Sequence, residues 1–591
     1  MRCALVALLA CARAAEAGLL LVHNGTIIVS AVDAAGRTAD PPVRAATLCV
    51  EAGDDARGRV QAASRCDGGG ADADYDLAGA VVLPGLWDAH GHVVAEGERL
   101  RTPWLFNASD EAAAVGAVAD FVALHPVAAG DWVVGGGWDQ TQWPGQQYPT
   151  KASLDAAFPD TPVVLDRYDG HATWVNSAAL AQRPPLPDAD PEGGVIVRDP
   201  ATGEPTGVLV DNARALVAPP TPSAAAQDEW LGAALAELAA AGVTAVSDMG
   251  SSPETIDQFG AWADAGRLSA RLDARYLGIA EEGMGGAADP LTAKRMRLAG
   301  PNMTLTVGGV KFFADGALGS WGAAMLAPYD DMPNATGTLR LTPEAFLGNA
   351  TAWAQQGWQL ATHAIGDAAN RLVLDTYEAV AAAVPGARAR RPRVEHAQLV
   401  NCTDLPRFAA LGVLASMQPT HCSEDLKIAE QRIGPERCAC GAYAWASMLA
   451  SGAPALPFGS DFPVEPVSPF DGMYAAVTRE VFYGPDLGTP EGGWYPAERV
   501  SRAQALRGFT YDAAYAANLE AELGSLDEGK LADFVVVDRD PTTVTPDEAI
   551  LETRVLATFL GGKRVFDAAG ERAAAPEGPP VEPHSAIPDD R

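Results

Sequence analysis

The sequence predicts an α/β protein: a parallel (β/α)8 barrel carrying a β-sandwich domain formed by both chain ends. Three observations predict it. The middle of the chain alternates eight short apolar runs with Ala-rich stretches, the pattern of strand–helix repeats that pair into a parallel barrel. The two ends are instead short alternating runs punctuated by Gly and Asp, which read as strands of a small sandwich. The length of 591 residues exceeds one ordinary domain, and a hydrophobic share of 48% suffices for large cores.

Taken in order, residues 1–17 carry one early Arg2, an apolar run from Cys3 to Ala12, and Ala15-Glu16-Ala17 ahead of Gly18. That is the pattern of a secretory signal peptide, too short to span a membrane. Runs at 19–22, 26–29, 47–50, 60–63 and 79–83 supply the first part of the sandwich, within residues 18–84. A matching piece returns at 524–538 and 555–560, so residues 501–567 hold the last barrel helix and the second part of the sandwich. Barrel-strand candidates within and around 85–500 are 81–87, 243–248, 269–276, 305–313, 359–363, 393–396, 413–418 and 455–459. The gap between the first two is too long for a plain connection, so about 101–214 is an inserted α/β subdomain. Residues 568–591 are rich in Ala, Pro, Glu and Asp and predict a disordered acidic tail.

Charge and punctuation narrow the function classes. Acidic residues outnumber basic ones by 76 to 42, a formal charge of −34 that argues against nucleic acid or an anionic membrane surface as partner. Of ten asparagines, six open an Asn-x-Ser/Thr sequon: Asn24, Asn107, Asn302, Asn334, Asn349 and Asn401. With the leader, they point to a glycoprotein of the secretory pathway, secreted or retained in an endomembrane lumen. Cys49 and Cys66 flank strand-like runs and can pair, while Cys402, Cys422, Cys438 and Cys440 read as disulfides or buried thiols. The spacing of Cys438-Ala439-Cys440 is too short for a metal clip.

The chemistry is carried by residues at strand ends. In 83–93 an apolar run closes on His90-Gly91-His92. In an extended strand both imidazoles point to one side, and side-chain-free Gly91 is expected to leave room for a cation between them. His363, His396 and Asp461 end three further candidate strands, and such ends converge on one face of a parallel barrel. Lys311 sits in the apolar run 307–313, where an ammonium is costly unless paired, neutralised or chemically changed; Asp315 is its nearest candidate partner.

These segments together resemble the metal-dependent amidohydrolase superfamily, specifically the amidohydrolase-3 or YtcJ-like group that includes N-substituted formamide deformylase. The resemblance runs over about residues 20–565 and rests on several motifs. They are Pro84-Gly85-Leu86-Trp87-Asp88-Ala89-His90-Gly91-His92, Asp169-Gly170-His171 with Asn176, and Lys311-Phe312-Phe313-Ala314-Asp315-Gly316 with Gly319-Ser320. Further along come His363-Ala364-Ile365-Gly366-Asp367, Val394-Glu395-His396, Ser416-Met417-Gln418-Pro419-Thr420-His421 and Gly459-Ser460-Asp461 before Pro463-Val464. Gly529-Lys530-Leu531-Ala532-Asp533 closes the set.

The resemblance implies a distorted TIM barrel with the two-ended sandwich. It implies one metal held by His90, His92 and Asp461, a second by His363 and His396, and a carboxylated Lys311 bridging them. Zinc is the expected metal, two per chain, with a single zinc as the other option. The implied reaction is attack of metal-activated hydroxide on a carbonyl, with Asp461 moving the proton, as in hydrolysis of non-peptide carbon–nitrogen bonds of N-substituted amides or formamides. Cyclic amides, esters and lactones suit the same site, and a non-catalytic secreted glycoprotein scaffold is the rival from another class. His171, His421, Trp138 and Asp315 are candidates for contact with a small amide-type substrate. No stable membrane span is expected. The oligomeric state is left open, with a homodimer among the options.

Overall fold

The computed structural model describes residues 18–52, 56–105, 108–127, 130–140, 143–167, 172–191, 194–217, 219–220, 222–279, 286–319, 321–426, 428–482 and 489–570. The expected leader and all but the first three residues of the expected tail lie outside that set. The described residues form two compact units, residues 93–234 and the remainder.

Seven parallel strands build the barrel wall: β1 (Leu86–Gly91), β2 (Val243–Ser251), β3 (Arg271–Leu277), β4 (Leu305–Phe313), β5 (Gln359–Ala364), β6 (Arg393–His396) and β7 (Leu414–Ser416). They pair in chain order, for example Val246 with Asp88 and Ala364 with His396. The run 455–459 forms the eighth wall. Met417 makes a parallel bridge to Phe458, whose carbonyl accepts the Ala89 N–H at 3.0 Å from the other side. Closure therefore occurs between β7 and β1. Every residue of β2 and β3 is buried, as expected of strands covered on both faces. The helices outside start on proper caps: Ser252 and Thr342 accept from Thr255 and Ala345 backbone N–H, each with proline in the first turn. Such caps contribute about 1 kcal/mol each.

One sequence expectation is corrected here. The candidate run 81–87 is two strands, Val81–Pro84 in the sandwich and β1 in the barrel, separated at Gly85. A side chain at Gly85 would lie 2.3 Å from Thr244 Oγ1 and 2.9 Å from Asp533 Cβ, so the chain can cross between domains only where a side chain is absent.

The sandwich joins the two ends of the chain directly. Val81–Pro84 runs antiparallel to Phe534–Val537, pairing Val82 with Val536, inside a six-stranded sheet. The second sheet holds Gly18–His23, Leu48–Ala52, Val60–Gln61 and Ala73–Asp76. Leu20, Val22 and Val50 of one sheet bury against Val82, Phe534 and Val536 of the other. The unit of residues 93–234 has its own five-stranded sheet and its own core, in which Trp174 meets Trp138 and Trp143 in T-shaped contacts.

Candidate metal centre

β1 delivers His90, fully buried, and the chain delivers His92 one residue beyond the strand. Gly91 does not make room for a cation. Alternation turns its missing side chain to the opposite face, where a Cβ would strike the Phe462 ring at 2.3 Å. Its role is to let the segment carrying Asp461 lie flat on β1: the Asp461 N–H donates to the His90 carbonyl at 2.7 Å, and the His92 N–H donates to the Phe462 carbonyl at 2.9 Å.

Side chains from β1, β4, β5, β6 and the 455–461 segment meet at this face. The ligand atoms of His90, His396 and Asp461 lie within 4.8 Å of one another. His92 Nε2 is 3.2 Å and His90 Nε2 3.3 Å from Asp461 Oδ1. Lys311 Nζ is 3.4 Å from His90 Nε2, and the His363 ring lies 4.5 Å from that of His396. All six expected ligands are thus in one cluster, and the tightest grouping takes His396 together with His90 and Asp461.

Each imidazole is oriented from behind. His90 Nδ1 donates to Glu395 Oε2 at 2.9 Å, and His396 Nδ1 donates to Gln418 Oε1 at 2.9 Å, so both Nε2 atoms present lone pairs to the centre. His363 Nε2 lies 3.5 Å from Asp315 Oδ1 and makes no hydrogen bond among the described residues. Glu395 is held in turn by Arg393 at 2.8 Å, both side chains fully buried. Burial would raise the Glu395 carboxyl, but Arg393 and then His90 keep it well below the usual carboxylate range. Asp88 accepts from the His90 N–H, the Ser460 N–H and the Ser460 hydroxyl, pinning the two ligand-bearing segments together.

Two of the ligand-bearing residues have a strained backbone. His396 and Asp461 adopt φ of 73° and 65°, a left-handed conformation that costs a non-glycine residue roughly 1–3 kcal/mol unless its surroundings impose it. Both are expected ligands. His396 is followed by Ala397 at φ 44°, so the end of β6 breaks the strand alternation to bring its imidazole to the centre.

The donor set fits a divalent cation. Because His90 Nδ1 is already a donor, its Nε2 is an acceptor, and it faces a carboxylate oxygen that is also only an acceptor. Asp461 Oδ1 is buried and makes no hydrogen bond among the described residues. Burial, and then the Lys311 charge, pull His90 down to about 4, so proton sharing does not relieve the contact near neutral pH. Burial and Lys311 similarly take His363 down to about 3. Neutral imidazoles grouped with a carboxylate are zinc-type ligands. Asp461 itself stays ionised: burial opposes this, and His90, His421 and His92 outweigh it.

The remaining candidates separate. His421, on the helix Pro419–Asp425, lies between Glu465 Oε1 at 3.0 Å and Asp461 Oδ2 at 3.4 Å and faces the cavity. Asp315 is turned to the backbone, not to a substrate, and its position also overrides the expected pairing with Lys311. It accepts from the N–H groups of Ile365, Gly366 and Ala324 at 3.0, 2.8 and 2.8 Å, which satisfies a carboxyl that burial pushes up to about 7. Trp138 is wholly buried in the core of its own unit, its indole N–H donating to the Leu165 carbonyl, so it presents no surface for substrate. His171, with Asp169 and Gly170, lies outside the described residues. Sequence reasoning assigned no role to Glu395, Gln418, Asp88 or Ser460. All four sit inside the motifs of the resemblance; Glu395 and Ser460 stand next to an expected ligand and Asp88 two residues before one, whereas Gln418 has no such neighbour.

A cavity of about 300 Å³ opens over the cluster, walled by Phe313, Leu318, Ile365 and Val464 on its apolar side and by Gln398, Glu424, Asp425 and Glu465 on its polar side. Its size suits a small molecule.

An amidohydrolase family model matches residues 75–566. Protein LONG AFTER FAR-RED 3 of Arabidopsis thaliana is 35% identical over 504 residues, covering 83% of each chain. Putative amidohydrolase YtcJ of Bacillus subtilis (strain 168) is 31% identical, over 84% of this chain and 90% of its own. N-substituted formamide deformylase of Arthrobacter pascens is 27% identical over the same shares, 84% and 90%. Among solved structures, an uncharacterized metal-dependent hydrolase from Pyrococcus furiosus superposes with a TM-score of 0.69 at 26% identity, covering 89% of this chain and 100% of the other.

Proposed function

The chain belongs to the amidohydrolase family, and from that membership we propose that it hydrolyses the carbon–nitrogen bond of N-substituted amides or formamides, using two zinc ions and a carboxylated Lys311. That it is a metal-dependent hydrolase follows from the family itself. The observation that carries the reading further is the acceptor-to-acceptor contact of His90 Nε2 with Asp461 Oδ1, which a cation between them would resolve. His90, His92 and Asp461 would hold one metal and His363 and His396 the other.

Lys311 supports a bridging role through its setting. It is fully buried, burial pulls its ammonium down to about 8 against the opposing charges of Glu395 and Asp461, and Phe313 covers it at 4.7 Å. A neutral amine is what adds carbon dioxide, and the resulting carbamate is an anion among metal ligands.

A divalent cation bound here supplies Lewis acidity, polarising the scissile carbonyl and acidifying water. The protein does the rest. Asp461 accepts the proton of the attacking water and returns it to the departing nitrogen, so the carbonyl carbon gains oxygen as the C–N bond breaks. The apolar wall of Phe313, Leu318 and Ile365 receives the nitrogen substituent and excludes water. The amide reading draws on the formamide-cleaving relative.

The test is hydrolysis of formanilide by protein purified with zinc, stripped with a chelator and reloaded. Turnover that vanishes on stripping and returns with zinc is expected; equal turnover by stripped and loaded protein would overturn the reading.

We further propose that the protein is a glycoprotein of the secretory pathway. Two disulfides support it, Cys49–Cys66 and Cys402–Cys440, with Cα separations of 5.8 and 5.3 Å; Cys422 and Cys438 are buried thiols. Asn24 and Asn334 are exposed, whereas Asn302 is buried with its amide donating to the Gly266 carbonyl. Protein from a eukaryotic secretory host should lose mass on glycosidase treatment, with glycan at Asn24 and Asn334 and none at Asn302. An unchanged mass would exclude the glycoprotein assignment.

A further inference from the structure

The two imidazoles that present Nε2 to the centre are backed by different chemistry. Behind His90 stands Glu395, and behind His396 stands Gln418, each accepting from the ring Nδ1–H at 2.9 Å. One acceptor is an anion and the other a neutral amide. Glu395 is fully buried with Arg393, whose Nε lies 2.8 Å from Oε1 and whose Nη2 donates to Oε2 at 2.9 Å. The guanidinium also donates to the Ala89 carbonyl at 2.8 Å and to the Ser416 hydroxyl at 2.7 Å. It therefore holds the peptide that leads into His90 as well as the carboxylate behind its ring. Gln418 is anchored more lightly, with its amide nitrogen 3.4 Å from the Ser416 carbonyl.

A hydrogen bond to a carboxylate is roughly twice as strong as one between neutral groups, and in the low dielectric of a barrel interior it is little screened. The carboxylate pushes electron density onto the imidazole and fixes the tautomer that offers Nε2. An imidazole so backed is the stronger metal donor, and loss of such a partner costs about 10–100-fold in metal affinity.

Resting on the two-zinc reading, we propose that Glu395, with Arg393 behind it, is the positioning residue that makes the cation on His90 the tightly held one and leaves the cation on His396 exchangeable. Both act through the His90 ring, from its Nδ1 side. The His90 position fills first as zinc is added and empties last as it is withdrawn.

Zinc dissociation constants of the metal-stripped full chain are measured by competition with a chromogenic chelator, in the wild type and in Glu395→Gln. That variant keeps an acceptor of the same length and removes the charge. The wild type should take up two zinc ions with Kd values at least about tenfold apart. In Glu395→Gln the tighter Kd should weaken by at least about tenfold while the weaker one moves by less than about threefold. A merely structural role would not give a change confined to one step, since a loosened barrel weakens both. Glu395→Gln leaves the buried Arg393 charge unpaired, so the melting curve of the metal-free variant is compared with that of the wild type. If it does not fold, Arg393→Met/Glu395→Gln, which buries no lone charge, carries the same measurement. Two equal affinities in the wild type overturn the proposal and leave the two-zinc reading standing. So do Kd values that are unmoved in a folded variant, or weakened alike at both steps. A wild type that takes up a single zinc contradicts the two-zinc reading instead, and the Kd of that ion in the variant still decides the part of Glu395.

Discussion

Asp461→Asn is expected to lower kcat by at least about 10³-fold on any substrate the metal-loaded protein turns over, with the fold retained. Two functions are lost together. The amide nitrogen of asparagine cannot accept the water's proton, and the amide oxygen is a weaker metal ligand than the carboxylate that His90 and His92 approach at 3.3 and 3.2 Å. The fold should survive because the backbone of residue 461 is held independently of its side chain. Its N–H is bonded to the His90 carbonyl, and the adjacent Ser460 is bonded to Asp88. A circular dichroism spectrum and melting curve like those of the wild type, with turnover at background, is the expected pair of results. Turnover near that of the wild type would remove Asp461 from the proton path.

Lys311→Ala is expected to cut the bound metal to about one ion per chain or fewer. The side chain is fully buried, 3.4 Å from His90 Nε2, with Glu395 and Asp461 the carboxylates whose charges act on it most. If it bridges two cations as a carbamate, truncation removes an anionic ligand from both. If it remains an ammonium, truncation removes a repelling charge, and metal binding should be unchanged or tighter. The two chemistries therefore predict opposite signs. A short carboxylic acid such as propionate, small enough to enter the space vacated, should restore metal only in the carbamate case. An unchanged metal ratio in Lys311→Ala would contradict the bridging role.

Much of this architecture is legible in the residues themselves. β2 through β7 lie within about three residues of the expected runs, even though β3 and β6 bury the charged residues Arg271, Asp273, Arg275, Arg393 and Glu395. The six expected ligands stand at strand ends, and barrel closure brings such ends together whatever lies between them in the chain. What was hidden depends on packing that no local pattern encodes. Gly91 reads as space for a metal and proves to be a seat for Phe462. Asp315 follows the Lys311 strand and looks like its counter-ion or a substrate contact, yet three backbone N–H groups claim it. Trp138 looks like a pocket wall and lies in a tryptophan core. Glu395 and Gln418 orient imidazoles that are respectively 305 and 22 positions away in the chain, distances at which sequence spacing carries no information.

Inductively coupled plasma mass spectrometry of the purified full chain, expressed with zinc available, reads the metal-to-protein ratio directly. About two zinc per chain is expected if Lys311 bridges the five proposed histidine and aspartate ligands, and about one would leave a mononuclear site in which Lys311 is a lysine. A chain that binds none, even after refolding with zinc, would contradict a metal-dependent hydrolase and leave the buried cluster of His90, His396 and Asp461 without its cation.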